Sequence, residues 1–138
     1  MKPINTLLVL LFISLLSSPS WSETYDDLVE REGLWYKKFT DVPFTGEITG
    51  DTQGSLKNGE KEGDWVWYHE NGQLWFKGNH KNDEKDGAWV RYHANGQLEY
   101  EGNYKNGEKD GVWVGYDENG TLVSMLTGTF KDGTKIRD

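Results

Sequence analysis

His69, His93 and Asp117 follow one another at intervals of 24 residues, each directly after a tyrosine. Imidazole and carboxylate are the side chains that hold divalent metals or move protons, so such a row is the first chemistry to weigh. Its spacing argues against a shared ion. If one period is one β-hairpin, equivalent positions lie two strand spacings apart, roughly 9–10 Å, whereas zinc needs its nitrogen ligands at ~2 Å. The three read instead as polar residues flanking a turn. His80 stands where Tyr104 and Phe130 stand in later copies, which makes it an aromatic-like filler of an inner face with no nucleophile motif beside it. Ser18, Ser55 and Ser124 sit in no G-x-S-x-G context. The turn Asp83-Glu84-Lys85-Asp86-Gly87 is interrupted by Lys85 and lacks the closing glutamate of a calcium loop. The chain has no cysteine, which excludes disulfides, thiol catalysis and Cys-containing zinc sites. The expectation is a protein that is not an enzyme and uses no metal or cofactor.

Aromatic residues offer the stronger functional lead. Trp67 becomes Arg91 and then Gly115 in successive copies, and Trp75 becomes Glu99. Positions that vary within a regular array are those released from packing duty, so Trp67, Trp75, Arg91 and Glu99 are the candidate partner-binding residues. Tryptophan and arginine are over-represented at protein contacts. A glycan platform in the cell envelope is the alternative, since exposed rings also stack on sugars. Neutralising acidic turns should weaken a protein contact, whereas Trp67→Ala or Trp75→Ala should weaken a glycan contact.

These residues are carried by a unit with a 24-residue period, complete at 54–77 and 78–101 and begun a third time over 102–120, where the C-terminal stretch takes over. Trp65, Trp89 and Trp113 keep this interval, as do Tyr68, Tyr92 and Tyr116, and Gly72, Gly96 and Gly120. Such a period marks a repeat array. Asn71-Gly72, Asn95-Gly96 and Asn119-Gly120 divide aromatic-rich runs and predict hairpins with type I′ turns, while the charged stretch 57–63 predicts a longer connection between hairpins. Alternation predicts that Leu74, Phe76, Gly78 and His80 are packed and that Trp75, Lys77 and Asn79 are exposed. On the preceding strand, Val66 and Tyr68 are expected inward and position 67 outward. The unvarying Trp65, Trp89 and Trp113 share the outward phase and are expected to stack as a ladder over the hairpin edge.

Residues 33–53, with Trp35-Tyr36 and Phe44-Thr45-Gly46, read as a degenerate N-terminal cap, and 121–138 as a C-terminal cap. Two residues are inserted within Val123 to Thr127, which predicts a bulge or altered edge. Residues 23–32 form an acidic N-terminal arm. The fold class is all-β: a single-layer open array of repeated hairpins, whose uncovered strand edges invite self-association.

The pattern G-x-W-V-x-Y, N-G-Q-L and G-N-Y-K-N-G resembles the variant MORN repeat of the bacterial YwqK-type antitoxin group, over about residues 33–133. This resemblance implies an elongated β-hairpin array that binds other macromolecules, and an antitoxin's role of neutralising a toxin protein.

Before the array, residues 1–22 read as a cleavable signal peptide, with Lys2, an uncharged apolar run from Leu7 to Leu16 and small residues at Ser20 and Ser22. That run is shorter than the ~20 residues of a bilayer span. Cleavage after Ser22 would place the protein in a periplasm or outside the cell, touching a membrane only through its transient leader. The formal net charge of −8 becomes one unit more negative when Lys2 is removed. It argues against nucleic acid and anionic lipid and suits a basic, toxin-like protein partner.

Overall fold

The computed structural model describes residues 22–138. Apart from Ser22, the expected signal peptide lies outside them. Strand β1 (Ser22–Glu23) leads into a 3₁₀ turn at Tyr25–Asp27, opened where the Asp27 carboxylate accepts the Thr24 N–H at 3.0 Å and its hydroxyl at 2.7 Å. β2 (Leu28–Arg31) and β3 (Leu34–Lys37) then pair across a turn at Glu32-Gly33. The boundary expected between the acidic arm and the cap falls inside this turn, so the two stretches form one N-terminal unit.

Nine further strands follow: β4 (Gly46–Ile48), β5 (Thr52–Lys57), β6 (Glu60–Tyr68), β7 (Leu74–Lys81), β8 (Glu84–Tyr92), β9 (Leu98–Lys105), β10 (Glu108–Gly115), β11 (Gly128–Lys131) and β12 (Thr134–Arg137). They lie side by side in chain order as one antiparallel run, with β1 parallel to β4 at the near edge. Consecutive hairpins need no crossover, so the array extends in one direction and remains open. β2 and β3 form a second, separate sheet. Leu28 joins Phe44, Ile48, Leu56 and Trp65 in a core, with Tyr25, Trp35 and Trp67 packed against it. The array is thus one layer along its repeats and gains a second at its N-terminal end.

Two local expectations are corrected. The tight type I′ turns are the charged ones. Asn58-Gly59, Asn82-Asp83, Asn106-Gly107 and Asp132-Gly133 all hold both central residues at positive φ, between 46° and 83°. The Asn-Gly sites lie in longer loops in which only the glycine is left-handed. There the asparagine is needed for its side chain: Asn71 Oδ1 accepts the Gln73 N–H at 3.0 Å, and Asn95 repeats the bond to Gln97. The same dipeptide therefore serves a different turn.

The second correction concerns which way the strands face. Residues directly opposite in an antiparallel ladder share a face. Register places Trp65 opposite Gly78, Trp67 opposite Phe76, and Val66 opposite Lys77. Trp65, Trp89 and Trp113 are therefore inward, at 0%, 3% and 1% exposure, and Trp67 lies on their face. Val66 lies on the other. Tyr68 pairs with Leu74, so a bulge at Trp75 returns Leu74 to the face of Val66 and leaves Trp75 beside Phe76, ring centroids 4.7 Å apart. Constant positions give no phase here because both faces are constant.

The packed face explains how one layer can have a core. Each indole lies flat on the bare backbone of a facing glycine: a Cβ on Gly54, Gly78 or Gly102 would stand 2.2 Å from the Trp ring. Ring edges roof it. Trp89 meets His80 at 5.1 Å and Tyr104 at 5.7 Å, and Trp113 meets Tyr104 at 4.9 Å, each nearly perpendicular. Lys61, Lys85 and Lys109 complete the cover, their ammonium groups 5.6, 4.6 and 4.4 Å from the ring centroids of Trp65, Trp89 and Trp113. Burial among these rings lowers the pKa of Lys85 and Lys109, with further positive charges adding to the effect at Lys85.

The inserted stretch near the C-terminus also has a clear part. Thr127 Oγ1 accepts the Gly115 N–H at 3.0 Å, and the Val123 N–H bonds Gly115 O at 2.8 Å. Leu126 then occupies the space a side chain at 115 would need, with its Cβ 2.4 Å from an ideal Cβ there. This is why the position held by Trp67 and Arg91 ends as glycine. Finer detail at Trp65 differs from its copies: Trp89 and Trp113 donate Nε1–H to Asn79 O and Asn103 O, while Trp65 Nε1 has no partner, and nothing in the structure explains the difference.

Candidate functional site

The edge of the packed face near the Asn-Gly loops gathers half-exposed aromatic and charged groups. β8 places Arg91 opposite both Phe76 on β7 and Tyr100 on β9. Its guanidinium carbon lies 5.4 Å from the Trp75 ring centroid and 5.8 Å from that of Tyr100. Glu99 reaches the same group. Arg91 Nε is 2.9 Å from Glu99 Oε2, near enough for an ion pair but not aligned for a hydrogen bond. Such a half-exposed pair contributes little stability, ~0–1 kcal/mol, and mainly fixes the guanidinium in place.

Three of the four sequence-derived residues, Trp75, Arg91 and Glu99, thus come together. The bulges make this possible. Trp75 and Glu99 are the extra residues on β7 and β9, so each turns toward the face that strict alternation would deny it. Trp67 is set apart from them by Phe76, on which it stacks at 4.1 Å, and it also contacts Trp65 and Trp89 at 5.5 and 5.9 Å. It is a roof over the indole row and not the outward ring expected from phase. Tyr100 escapes sequence reasoning because its copy in the first repeat, Phe76, reads as ordinary core. Lys61, Lys85 and Lys109 recur every 24 residues beside the tryptophans, a signal that in sequence looks only like turn charge.

His69 and His93 act in the architecture. His69 Nε2 lies 3.0 Å from Tyr92 O and His93 Nε2 lies 2.9 Å from Tyr116 O, so each imidazole donates Nε2–H to the next repeat. Asn71 and Asn95 add parallel bonds to Ala94 O and Glu118 O, both at 3.0 Å. Asp117 closes the row differently. With no donor it cannot bond a following carbonyl, and its Oδ1 instead accepts N–H groups of Asn119 and Thr121 in its own turn. Those bonds, led by Thr121, lower its pKa. On the opposite edge Asp83, Gly107 and Gly133 donate backbone N–H to Lys61 O, Lys85 O and Lys109 O. Among the described residues no three His, Asp or Glu side chains converge as a metal site would require.

Against this geometry, a family model described as the MORN repeat variant matches residues 61–82, 85–106 and 109–131. The chain carries three MORN repeat variants in tandem. The matches keep the period of the indole row, each beginning at the lysine that covers a tryptophan. MORN repeats commonly serve as modules that bind proteins or membranes. No curated protein matches the chain significantly.

Proposed function

We propose that this MORN-repeat protein is a non-catalytic binding module, exported with cleavage after Ser22, whose ligand is another protein. The observation that carries the reading is Arg91, fixed between Trp75 and Tyr100 by Glu99 on a sheet surface that no other described element covers. Aromatic rings and a preorganised guanidinium are the groups on which binding energy concentrates. The net charge, −8 for the full chain and one unit more negative once Lys2 is removed with the leader, favours a basic partner by steering its approach. A basic exported toxin, neutralised in an immunity-like manner, is the partner that combines this charge, the leader and the resemblance to the antitoxin group.

The half-exposed Trp75 also favours a second reading, a platform for cell-envelope glycans. Crosslinked capture on residues 23–138 from envelope and secreted fractions, read by mass spectrometry, separates the two. One recurrent stoichiometric protein supports the first reading. Recovery of glycan fragments alone overturns it in favour of the second.

A further inference from the structure

The face opposite the tryptophan row is repeated as faithfully as the packed face, yet among the described residues no second layer lies over it. Register sets one row across five strands: Val66, Lys77, Val90, Glu101 and Val114. A second row pairs Tyr68 with Leu74, Tyr92 with Leu98, and Tyr116 with Leu122. Val112, on the same face, is 70% exposed and Leu122 is 55% exposed. Every repeat thus commits a valine, a tyrosine and a leucine to a surface facing water. An apolar band of this kind on a soluble sheet marks a contact.

The two charges within the band indicate what covers it. Lys77 and Glu101 flank Val90 on neighbouring strands, roughly 9–10 Å apart, and neither has an ionic partner among the described residues. A two-fold axis running along β8 beneath Val90 exchanges the two sides of the row. It lays Lys77 of one copy over Glu101 of the other, Val66 over Val114, and Val90 over itself. The band is therefore complementary to its own rotated copy in charge and in apolar character, the condition for an isologous interface. Shallow depressions of about 510 and 420 Å³ on either side of Ala88 give the facing valines room to interdigitate at the ~10 Å spacing of packed sheets.

We infer that two copies of this chain pack face to face through this band, forming a sandwich whose outer surfaces are the two tryptophan faces. This inference does not depend on the proposed binding site, which lies on the opposite side of each sheet. The dimer would present two Trp75–Arg91 clusters on opposite surfaces.

Sedimentation equilibrium of the protein as recovered from cells tests the pairing. The expected result is a dimer that Lys77→Glu weakens by at least tenfold, because it sets two glutamates against each other at both symmetric contacts. The double variant Lys77→Glu with Glu101→Lys restores the attraction and should restore the dimer. Both residues are exposed, and circular dichroism would verify that the sheet is retained. A monomer at roughly 100 μM, a concentration at which even a weak interface assembles, would overturn the inference. So would a dimer indifferent to Lys77→Glu, or a double variant that stays as dissociated as Lys77→Glu alone.

Discussion

The indole of Trp89 rests directly on the backbone of Gly78, with no room between them for even a methyl group: a Cβ there would approach ring atoms to 2.2 Å. The relation recurs at Gly54 with Trp65 and at Gly102 with Trp113. Gly78→Ala must lift the ring out from under His80 and Tyr104. Overpacking of this kind costs about 1–3 kcal/mol. Urea unfolding should show a loss in that range for Gly78→Ala and for Gly102→Ala. A midpoint unchanged in both would mean that the indoles do not depend on the bare backbone.

His80 supplies an acid-sensitive point in the same layer. It is 6% exposed, and burial, aided by the Lys61 charge, pushes its pKa down from 6.5 to about 4. Between those values the unfolded chain binds a proton that the folded chain refuses, so stability declines as pH falls through this window and levels off below it. His80→Phe, which copies the residue at Phe130, should remove this part of the acid sensitivity. The gap between variant and wild type should widen by on the order of 2–3 kcal/mol from pH 7 to pH 4. Parallel pH curves would contradict the assignment.

The staples between repeats make a separable prediction. His69→Ala removes a donor to Tyr92 O, and Asn71→Ala removes one to Ala94 O. Each bond contributes about 1 kcal/mol net, and the two donors share one loop, so their losses need not add. Amide exchange should quicken in the loop 93–97 in either variant, while the N-terminal core around Ile48 and Leu56 stays protected. Loss of protection in that core instead would place these residues in global stability.

Period and composition make the hairpin array legible, because a 24-residue unit rich in glycine and aromatics has few other ways to bury its rings. His80 is also legible as an inner-face filler, since Tyr104 and Phe130 occupy its place. The faces are not. Strands that keep Trp65 on one side and Val66 on the other give constancy no direction, and the bulges at Trp75 and Glu99 break the alternation on which phase depends. Turn type escapes for a related reason: Asn71 is required for its side-chain bonds, a need that looks the same in sequence as a need for positive φ. The Trp75–Arg91–Glu99 cluster is legible as a set of varying positions. Its joining across two repeats is not, because that follows from register.

The binding account turns most directly on one comparison: capture of the partner on residues 23–138, wild type beside Trp75→Ala and Arg91→Ala. The account predicts a stoichiometric protein on the wild type and at least a tenfold loss of affinity in each variant, about 1.4 kcal/mol or more. Undiminished capture by both variants, with their folds intact, would contradict it.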